Sequence, residues 1–220
     1  MLVLAFDTSV AACSVALCRD GQVLAAAREV MDQGQAEALM PLIAGVMTQA
    51  GVTYAGLDRI AVTVGPGSFT GVRVGLAAAR GIGLAARKPV VGIMTTEALA
   101  AAVPETERHI LAAIDTKRGD LYVQKFDSRL HEIGAVRVMA PAELVDWNQG
   151  HGVRVVGDGA AIAFAALGPR ALLSVADALP DAAVIARLGA QREPTAGGPL
   201  PIYVRAPDAT MPQHGGRLRP

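Results

Sequence analysis

The chain has 220 residues, of which 52% are apolar, and its 20 basic and 20 acidic side chains give a formal net charge of zero. A length and composition of this kind are typical of a globular protein with a buried core, and they exclude dominant disorder. The charge balance also excludes a nucleic-acid binder that acts alone through phosphate attraction, because such a domain carries a basic excess.

The sequence shows no pattern that directs the chain into a membrane or out of the cell. Arginines such as Arg73 and Arg80 interrupt the longest apolar run before it reaches the roughly 18 to 20 residues of a membrane span. Met1 leads directly into a strand-like segment without a basic leader, so we expect a cytoplasmic protein. Cys13 and Cys18 lie in one predicted strand on opposite faces and cannot form a disulfide, in agreement with a reducing compartment.

The first half of the chain alternates between strand-like and helical patterns. Three short apolar or alternating segments separated by turn residues predict consecutive strands, and apolar residues then recur at helical spacing. The predicted elements are strands at 2–6, 13–18 and 22–27, a helix at 35–50, a strand at 60–64, a helix at 68–86, a strand at 89–92 and a helix at 95–102. Their order is βββαβαβα.

The second half begins with the same pattern of strand, Asp-Thr turn, strand, turn and strand. Asp115 is therefore the counterpart of Asp7, and the chain is predicted to be a duplicated α/β unit. The predicted elements are strands at 110–114, 121–126, 135–139 and 153–157, a short helix through Trp147, and helices at 160–166 and 181–190. We place one subdomain at residues 1–103, the second at 104–207 with an edge strand at 201–205, and a mobile tail at 208–220.

The most distinctive stretch, GPGSFTGVRVG from Gly65 to Gly75, lies between a predicted buried strand and a helix. Glycines allow positive φ and close backbone approach, Ser68 or Thr70 can cap the helix, and such a helix start can bind an anion. The candidate nucleotide or anion residues are Asp7, Gly65, Gly67 and Ser68. The spacing fits neither the Walker nor the dinucleotide pattern, so an ordinary strand-to-helix turn is the alternative.

The helix predicted at 68–86 has more apolar surface than packing on one sheet requires. Val72 and Leu76 lie on one face, and small or apolar side chains such as Val74 and Ala78 fill most of the remaining surface. This indicates close approach of another helix, with a helix sandwiched inside its own domain as the alternative. With the helix at 35–50 it predicts a partner interface of Gln35, Glu37, Leu39, Met40, Ser68, Phe69, Thr70, Gly71, Val74, Gly75, Ala78 and Ile82.

The side chains that most often carry catalysis form no recognisable site. Asp7 and Asp115 could hold a metal with phosphate at two strand ends, but each is followed by Thr rather than by a glycine-bearing turn, so strand capping is preferred. The histidines are His109, His131, His151 and His214. They are scattered without ligand spacing, and no metal site is predicted.

Six stretches carry a family likeness. They are LAFDTSVAACSVAL, AEALMPLI, GPGSFTGVRVG, VVGIMTTEALA, AAIDTKRGDLYVQKF and the late PIYVR. Together they resemble the bacterial TsaB (YeaZ) family of tRNA threonylcarbamoyladenosine biosynthesis proteins, over residues 1 to about 207. The resemblance implies an α/β chain with the duplicated actin, sugar-kinase and Hsp70-like (ASKHA) fold and two RNase H-like subdomains. Family members often carry histidine where this chain has Gln35.

The resemblance implies a noncatalytic subunit that binds and positions a catalytic paralogue, TsaD. That paralogue transfers threonylcarbamoyl to N6 of adenosine 37 in tRNAs that read ANN codons. Its two metal-binding histidines align with Thr95 and Leu99, which cannot bind such a cation as imidazole does. The implied partners are the TsaD-like paralogue, a TsaE-like ATPase, tRNA through the complex, and a second copy when the chain is alone, but no membrane.

The sequence also leads to expectations about cofactors, tRNA binding and alternative functions. We expect no cofactor on the chain by itself, and ATP or ADP in the complex stays open. The isolated chain is expected to bind tRNA weakly, at most through Arg73, Arg80, Arg87, Arg217 and Arg219. The alternatives are an ASKHA-type enzyme, acting as an ATP phosphotransferase, hydrolase or peptidase, and a structural protein that only self-associates.

Overall fold

Two mixed five-stranded β-sheets form the centre of the computed structural model, which describes residues 1–205. The strands are β1 (Leu2–Asp7), β2 (Ala12–Arg19), β3 (Gln22–Val30), β4 (Arg59–Thr63), β5 (Val90–Ile93), β6 (His109–Asp115), β7 (Leu121–Phe126), β8 (Arg137–Met139), β9 (Val153–Val156) and β10 (Ala171–Leu173). The helices are α1 (Gln35–Gln49), α2 (Phe69–Ala86), α3 (Thr95–Ala101), α4 (Leu144–Asn148), α5 (Ala160–Leu167) and α6 (Ala182–Gln191). None of the helices within residues 1–205 has both the length and the apolar character of a membrane span. The predicted tail at 208–220 lies outside the described residues.

The two sheets repeat one topology. The strand order is β3-β2-β1-β4-β5 in the first sheet and β8-β7-β6-β9-β10 in the second. In each, the first three strands are antiparallel neighbours, and the last two continue from the central strand in parallel. Asp7 ends β1 and Asp115 ends β6, so the predicted duplication of an α/β unit is confirmed.

Alternation of side chains along the strands explains how the first sheet is covered on both faces. Leu2, Leu4 and Phe6 are buried on the face that α1 and α2 cover, and the residues between them are buried against α6. Cys13 lies with the first group and Cys18 with the second, and both thiols are free, as predicted.

The last helix of each repeat packs on the sheet of the other repeat. α3 follows β5, but its Leu99 is buried with residues of β6, β7 and β9. α6 follows β10, yet its Ile185 is buried against β1, β4 and β5. The predicted subdomains at 1–103 and 104–207 therefore exchange their terminal helices, because each sheet has a second apolar face that its own repeat leaves uncovered.

Two parts of the chain differ from the sequence-based prediction. The segment 201–205 forms no strand, so that prediction was wrong. Ile202 N–H does donate to Val64 O at 2.8 Å, so the segment contacts the end of β4 without forming a strand. β10 is not predicted from the sequence, because its three residues are too few to show a period.

Candidate functional site

A cleft of about 970 Å³ lies where the carboxyl ends of the two central strands, β1 and β6, face each other. Its walls are the turn after β1, the loop before α2, the turn after β6 and the segment 202–205. In open α/β sheets, ligands bind outside the carboxyl ends of the strands. This cleft is therefore the candidate functional site.

Asp7 lies behind the wall of the cleft and is completely buried. Its Oδ1 accepts hydrogen bonds from Ser9 N–H at 3.0 Å and from Ser9 Oγ and Thr63 Oγ1, each at 2.5 Å. Burial raises the pKa of this carboxyl, and the hydrogen bonds from Ser9 and Thr63 oppose that shift. Oδ2 has no hydrogen-bond partner among the described residues. Asp7 thus ties the end of β1 to β4, and this placement does not support its predicted role in binding an anion.

Three glycines bring the start of α2 against the turn after β1. A Cβ on Gly67 would lie 2.2 Å from Ser9 O, and one on Gly71 would lie 1.9 Å from Thr8 O. A Cβ on Gly75 would lie 2.8 Å from Thr8 Oγ1, and that hydroxyl donates to Gly71 O at 2.7 Å. Contacts inside the chain therefore explain the glycine spacing, and no second helix is needed to account for it.

Ser68 begins α2 at the surface of the cleft. Its Oγ accepts a hydrogen bond from Gly71 N–H at 3.3 Å, which confirms the predicted helix cap. Gly67 and Ser68 line the cleft, whereas Gly65 is buried, and a Cβ there would lie 2.8 Å from Ile202 O. Of the four candidate nucleotide or anion residues, Gly67 and Ser68 reach the cleft, and Asp7 and Gly65 do not.

The equivalent turn after β6 is open to the cleft. Asp115 Oδ1 accepts a hydrogen bond from Lys117 N–H at 2.8 Å, in the same geometry as Asp7 with Ser9. Lys117 Nζ lies 3.1 Å from Asp115 Oδ2 and 3.7 Å from Asp158 Oδ2. The hydrogen bond to Asp115 raises the pKa of Lys117, and burial raises the pKa of Asp158. A divalent cation would have to displace this ammonium group, so the turn does not fit a metal shared with Asp7.

Phe69, Arg73 and Tyr203 form a cluster at the edge of the cleft. The guanidinium carbon of Arg73 lies 3.5 Å from the centre of the Phe69 ring, and Arg73 Nε donates to Tyr203 Oη at 2.8 Å. The two rings are 5.3 Å apart. Two residues further on, Arg205 pairs with Asp120 of the second half. The segment that carries Tyr203 is thus held beside the cleft by contacts with both halves of the chain.

Known proteins similar to this chain point to one family. A family model described as TsaD, tRNA N6-adenosine threonylcarbamoyltransferase, matches residues 29–165. The chain is 38% identical over 124 residues to the tRNA threonylcarbamoyladenosine biosynthesis protein TsaB of Escherichia coli (strain K12). The aligned region covers 56% of this chain and 53% of that protein. Its structure is similar to that of YeaZ from Pseudomonas aeruginosa, with a TM-score of 0.79 and 29% identity over 92% of this chain and 99% of that one. The chain belongs to the TsaB (YeaZ) family.

A more distant likeness concerns the fold alone. The activator of the 2-hydroxyisocaproyl-CoA dehydratase from Clostridium difficile with bound ADPNP has a TM-score of 0.52 at 11% identity, over 86% of this chain and 94% of that one. The predicted α/β class with an ASKHA-type fold is confirmed. In sequence, this TsaB-family chain spans about half the length of the curated relatives it matches first.

Thr95 and Leu99, which the resemblance implies to stand in place of two metal-binding histidines, are buried in this TsaB-family chain. Thr95 is completely buried, and its Oγ1 donates to Ser9 Oγ at 3.0 Å. Leu99 is also buried and packs on the second sheet. Neither side chain lines the cleft, so this pair presents no ligand to a bound molecule.

The predicted partner interface divides into three groups by exposure. Exposed residues are Glu37, Met40, Ser68, Phe69 and Thr70, half-buried residues are Gln35, Val74 and Ala78, and buried residues are Leu39, Gly71, Gly75 and Ile82. The buried group is a correction to the predicted interface. Leu39 and Ile82 pack in the core beneath α1 and α2, and the two glycines face the turn after β1. The exposed part of the interface stays a prediction.

Two histidines that the sequence separates are neighbours in the structure. The rings of His109 and His151 are 5.4 Å apart, because β6 and β9 are adjacent. This pairing joins residues far apart in the chain, so no local pattern reveals it. His131 pairs with an aspartate at 3.0 Å, and His214 lies outside the described residues. Within residues 1–205, no group of three or more His, Cys, Asp or Glu side chains is placed to hold a metal ion.

Proposed function

We propose that this chain is a noncatalytic subunit of the complex that forms N6-threonylcarbamoyladenosine at position 37 of tRNAs that read ANN codons. In this role it binds and positions a catalytic paralogue of the TsaD type. Its similarity to a TsaB protein named for threonylcarbamoyladenosine biosynthesis supports the pathway. The match of a TsaD family model to residues 29–165 supports a partner with the same fold, which can pair through equivalent surfaces.

The observation that carries the noncatalytic assignment is the state of the acidic groups around the cleft. Asp7 is buried and uses Oδ1 for three hydrogen bonds within the chain. Lys117 Nζ forms ion pairs with both Asp115 and Asp158. Metal-dependent group transfer needs carboxylates or imidazoles that reach the ion. Asp7 does not line the cleft, and a metal ion at Asp115 and Asp158 would have to displace the Lys117 ammonium group.

The exposed sides of α1 and α2 supply the docking surface. The two helices are neighbours on the first sheet, and Met40 is 46% and Leu84 83% exposed. Small exposed residues accompany them, namely Ala36, Ala44, Ala77 and Gly81. Small side chains let helices approach closely, so two helices of the paralogue can complete a four-helix arrangement. In the absence of the paralogue, a second copy of the chain would occupy this surface.

Further components follow from the family resemblance. A TsaE-like ATPase and tRNA would join the assembled complex, and the proposal assigns no cofactor to the chain by itself. ATP or ADP would bind in the complex, with Gly67 and Ser68 as the residues of this chain that reach the cleft.

Docking can be tested by mixing the full chain with its TsaD-like paralogue and measuring mass by size exclusion with light scattering. Met40→Glu and Leu84→Glu should each abolish capture of the paralogue with unchanged thermal unfolding, because an unpaired carboxylate would be buried at the contact. Val175→Glu is the matched control, since Val175 is 86% exposed and follows β10 of the second sheet. Absence of capture by the unaltered chain would overturn the proposal, and capture by both variants would place the contact elsewhere.

The noncatalytic assignment has its own measurement. The purified chain should neither hydrolyse ATP nor modify an unmodified tRNA transcript, as followed by phosphate release and by mass spectrometry of digested nucleosides. The paralogue with its other components should modify the transcript only when the chain is added. Turnover by the chain alone that disappears in Asp7→Asn would support the enzyme alternative instead.

A further inference from the structure

Four basic side chains lie at the amino ends of three adjacent parallel strands of the second sheet. Arg108 and His109 stand at the start of β6, His151 lies just before β9, and Arg170 lies just before β10. The strand order β10-β9-β6 and its register set the starts of these strands side by side. These four residues, called the basic cluster below, lie at the opposite edge of the sheet from the carboxyl ends that border the cleft.

The loop before β9 brings the basic cluster together. A Cβ on Gly152 would lie 2.6 Å from Arg108 Nη1, and one on Gly150 would lie 3.6 Å from the guanidinium carbon of Arg170. Both guanidinium groups therefore lie against the loop that carries His151, one on each side of it.

The two arginines of the basic cluster are available to a ligand. Within residues 1–205, neither Arg108 nor Arg170 forms an ion pair, although both are exposed. Lys125 adds positive charge behind the cluster, with its Nζ 4.8 Å from the centre of the Trp147 ring. Exposed guanidinium groups without an ion-pair partner can pair with an anion.

His109 is the partly buried member of the cluster. Burial lowers the pKa of His109, His151 and Lys125 lower it further, and Asp127 opposes the shift. Within residues 1–205, no group of three or more His, Cys, Asp or Glu side chains is placed to hold a metal ion, so the histidine pair does not form a metal site. The two arginines of the cluster make it a candidate site for an anion.

The arginines of α2 are less available than those of the basic cluster. Arg73 is stacked on Phe69 and bonded to Tyr203, and Arg80 donates to Pro199 O at 2.7 Å. These two residues were the first candidates for tRNA contact in the sequence. Their side chains instead hold the segment around residues 199–203 against α2.

We infer that the basic cluster binds phosphate groups of the RNA backbone. Guanidinium groups pair with phosphate oxygens through two hydrogen bonds, and an imidazole N–H can donate a further one. The inference rests on the proposed function, which brings RNA to the complex, and it adds the surface of this chain that contacts the RNA. α1 and α2 pack on the first sheet, whereas the cluster lies at the edge of the second. The paralogue and the RNA can therefore be bound at the same time.

The test is a titration of a fluorescently labelled, unmodified tRNA transcript, read by anisotropy at several salt concentrations. The full chain is used alone at low salt and in its mixture with the paralogue. Arg108→Glu combined with Arg170→Glu should weaken binding roughly tenfold and lower the slope of log affinity against log salt by about two. The matched control combines Arg19→Glu with Arg137→Glu, which changes two other exposed arginines by the same charge, and should change affinity less than about twofold.

Capture of the paralogue is measured in the same samples. Weakened RNA binding with intact capture supports the inference. Equal weakening by both double variants, or no weakening by the Arg108 and Arg170 pair, overturns it. Failure of the unaltered chain to capture the paralogue would count against the proposed function, and the titration of the chain alone would still decide the RNA contact.

Discussion

The two halves of the chain share one sheet topology but use the turn after the central strand in different ways. In the first half, Asp7 is completely buried and bonded to Ser9 and Thr63. In the second half, Asp115 is partly exposed and pairs with Lys117 inside the cleft. The helix after the fourth strand also differs, with 18 residues in α2 and 8 in α5.

The two turns differ in whether their carboxylate reaches the cleft. Gly67 and Gly71 let α2 start directly on the backbone of Thr8 and Ser9, and the Asp7 side chain is buried where it bonds Ser9 and Thr63. Gly157 and Gly159 likewise bring the start of α5 close to the end of β6, but Asp115, Lys117 and Asp158 line the cleft and keep their charges there. The two halves share one topology, while the first half carries the longer helix and the second keeps charged side chains in the cleft.

The largest expected effect comes from breaking the contact between α2 and the first turn. Gly71→Ala would place a methyl group 1.9 Å from Thr8 O, and because both groups are backbone-bound it should lower the free energy of unfolding by on the order of 3 kcal/mol. Chemical denaturation measures the change. Gly81→Ala in the same helix is the control, since its Cβ would meet nothing within 4 Å, and it should stabilise by about 0.5 to 1 kcal/mol. Equal effects at both positions would contradict the proposed close packing.

The two aspartates should respond differently to truncation. Asp7→Ala leaves three buried donors of Ser9 and Thr63 without their acceptor, which should cost about 2 kcal/mol of unfolding free energy. Asp115→Ala removes an ion pair with Lys117, whose side chain is 64% exposed, so the cost should stay below about 1 kcal/mol. Urea unfolding of the two variants compares them directly, and a larger loss for Asp115→Ala would reverse the assignment of roles.

Asp7 should contribute to the pH dependence of the unfolding free energy. Because burial raises its pKa above 3.8 in the folded chain, the folded state binds the proton more tightly than the unfolded state does. The contribution of Asp7 is therefore most favourable below pH 3.8 and is lost as pH rises through the folded pKa. Asp7→Asn should flatten the unfolding free energy over that range, as measured by denaturation at a series of pH values. An unchanged profile would show that Asp7 does not titrate differently on folding.

The smallest expected effect concerns His109 in the second half. Its pKa is lowered from 6.5, mainly by burial, so the unfolded chain binds the proton more tightly. Stability should therefore fall as pH drops below 6.5. In His109→Gln, the thermal unfolding midpoint should drop less than in the unaltered chain between about pH 7 and pH 5.5. If the midpoint drops equally in both proteins, His109 is not the cause of the drop.

Local patterns in the sequence were enough to predict much of the fold. Periodicity and turn residues locate β1 to β3, α1 and α2 closely, and the repeated strand, Asp-Thr turn and strand indicate the duplication. The Ser68 cap is also local, because its partner Gly71 is three residues away. The sequence did not decide what the glycines around the start of α2 contact. Their spacing is compatible with a partner helix and also with close packing inside the chain.

What the sequence by itself determined is therefore the set of elements, their repeat and the family resemblance, because each depends on neighbours within a few residues along the chain. The tertiary structure decided which surfaces those elements leave free. The bond between Asp7 and Thr63, exchange of α3 and α6 between the sheets, and assembly of Arg108, His151 and Arg170 at one edge all join residues far apart in sequence. Such contacts form only when strands pair and helices pack, so the exposure and charge of both proposed binding surfaces are properties of the folded chain.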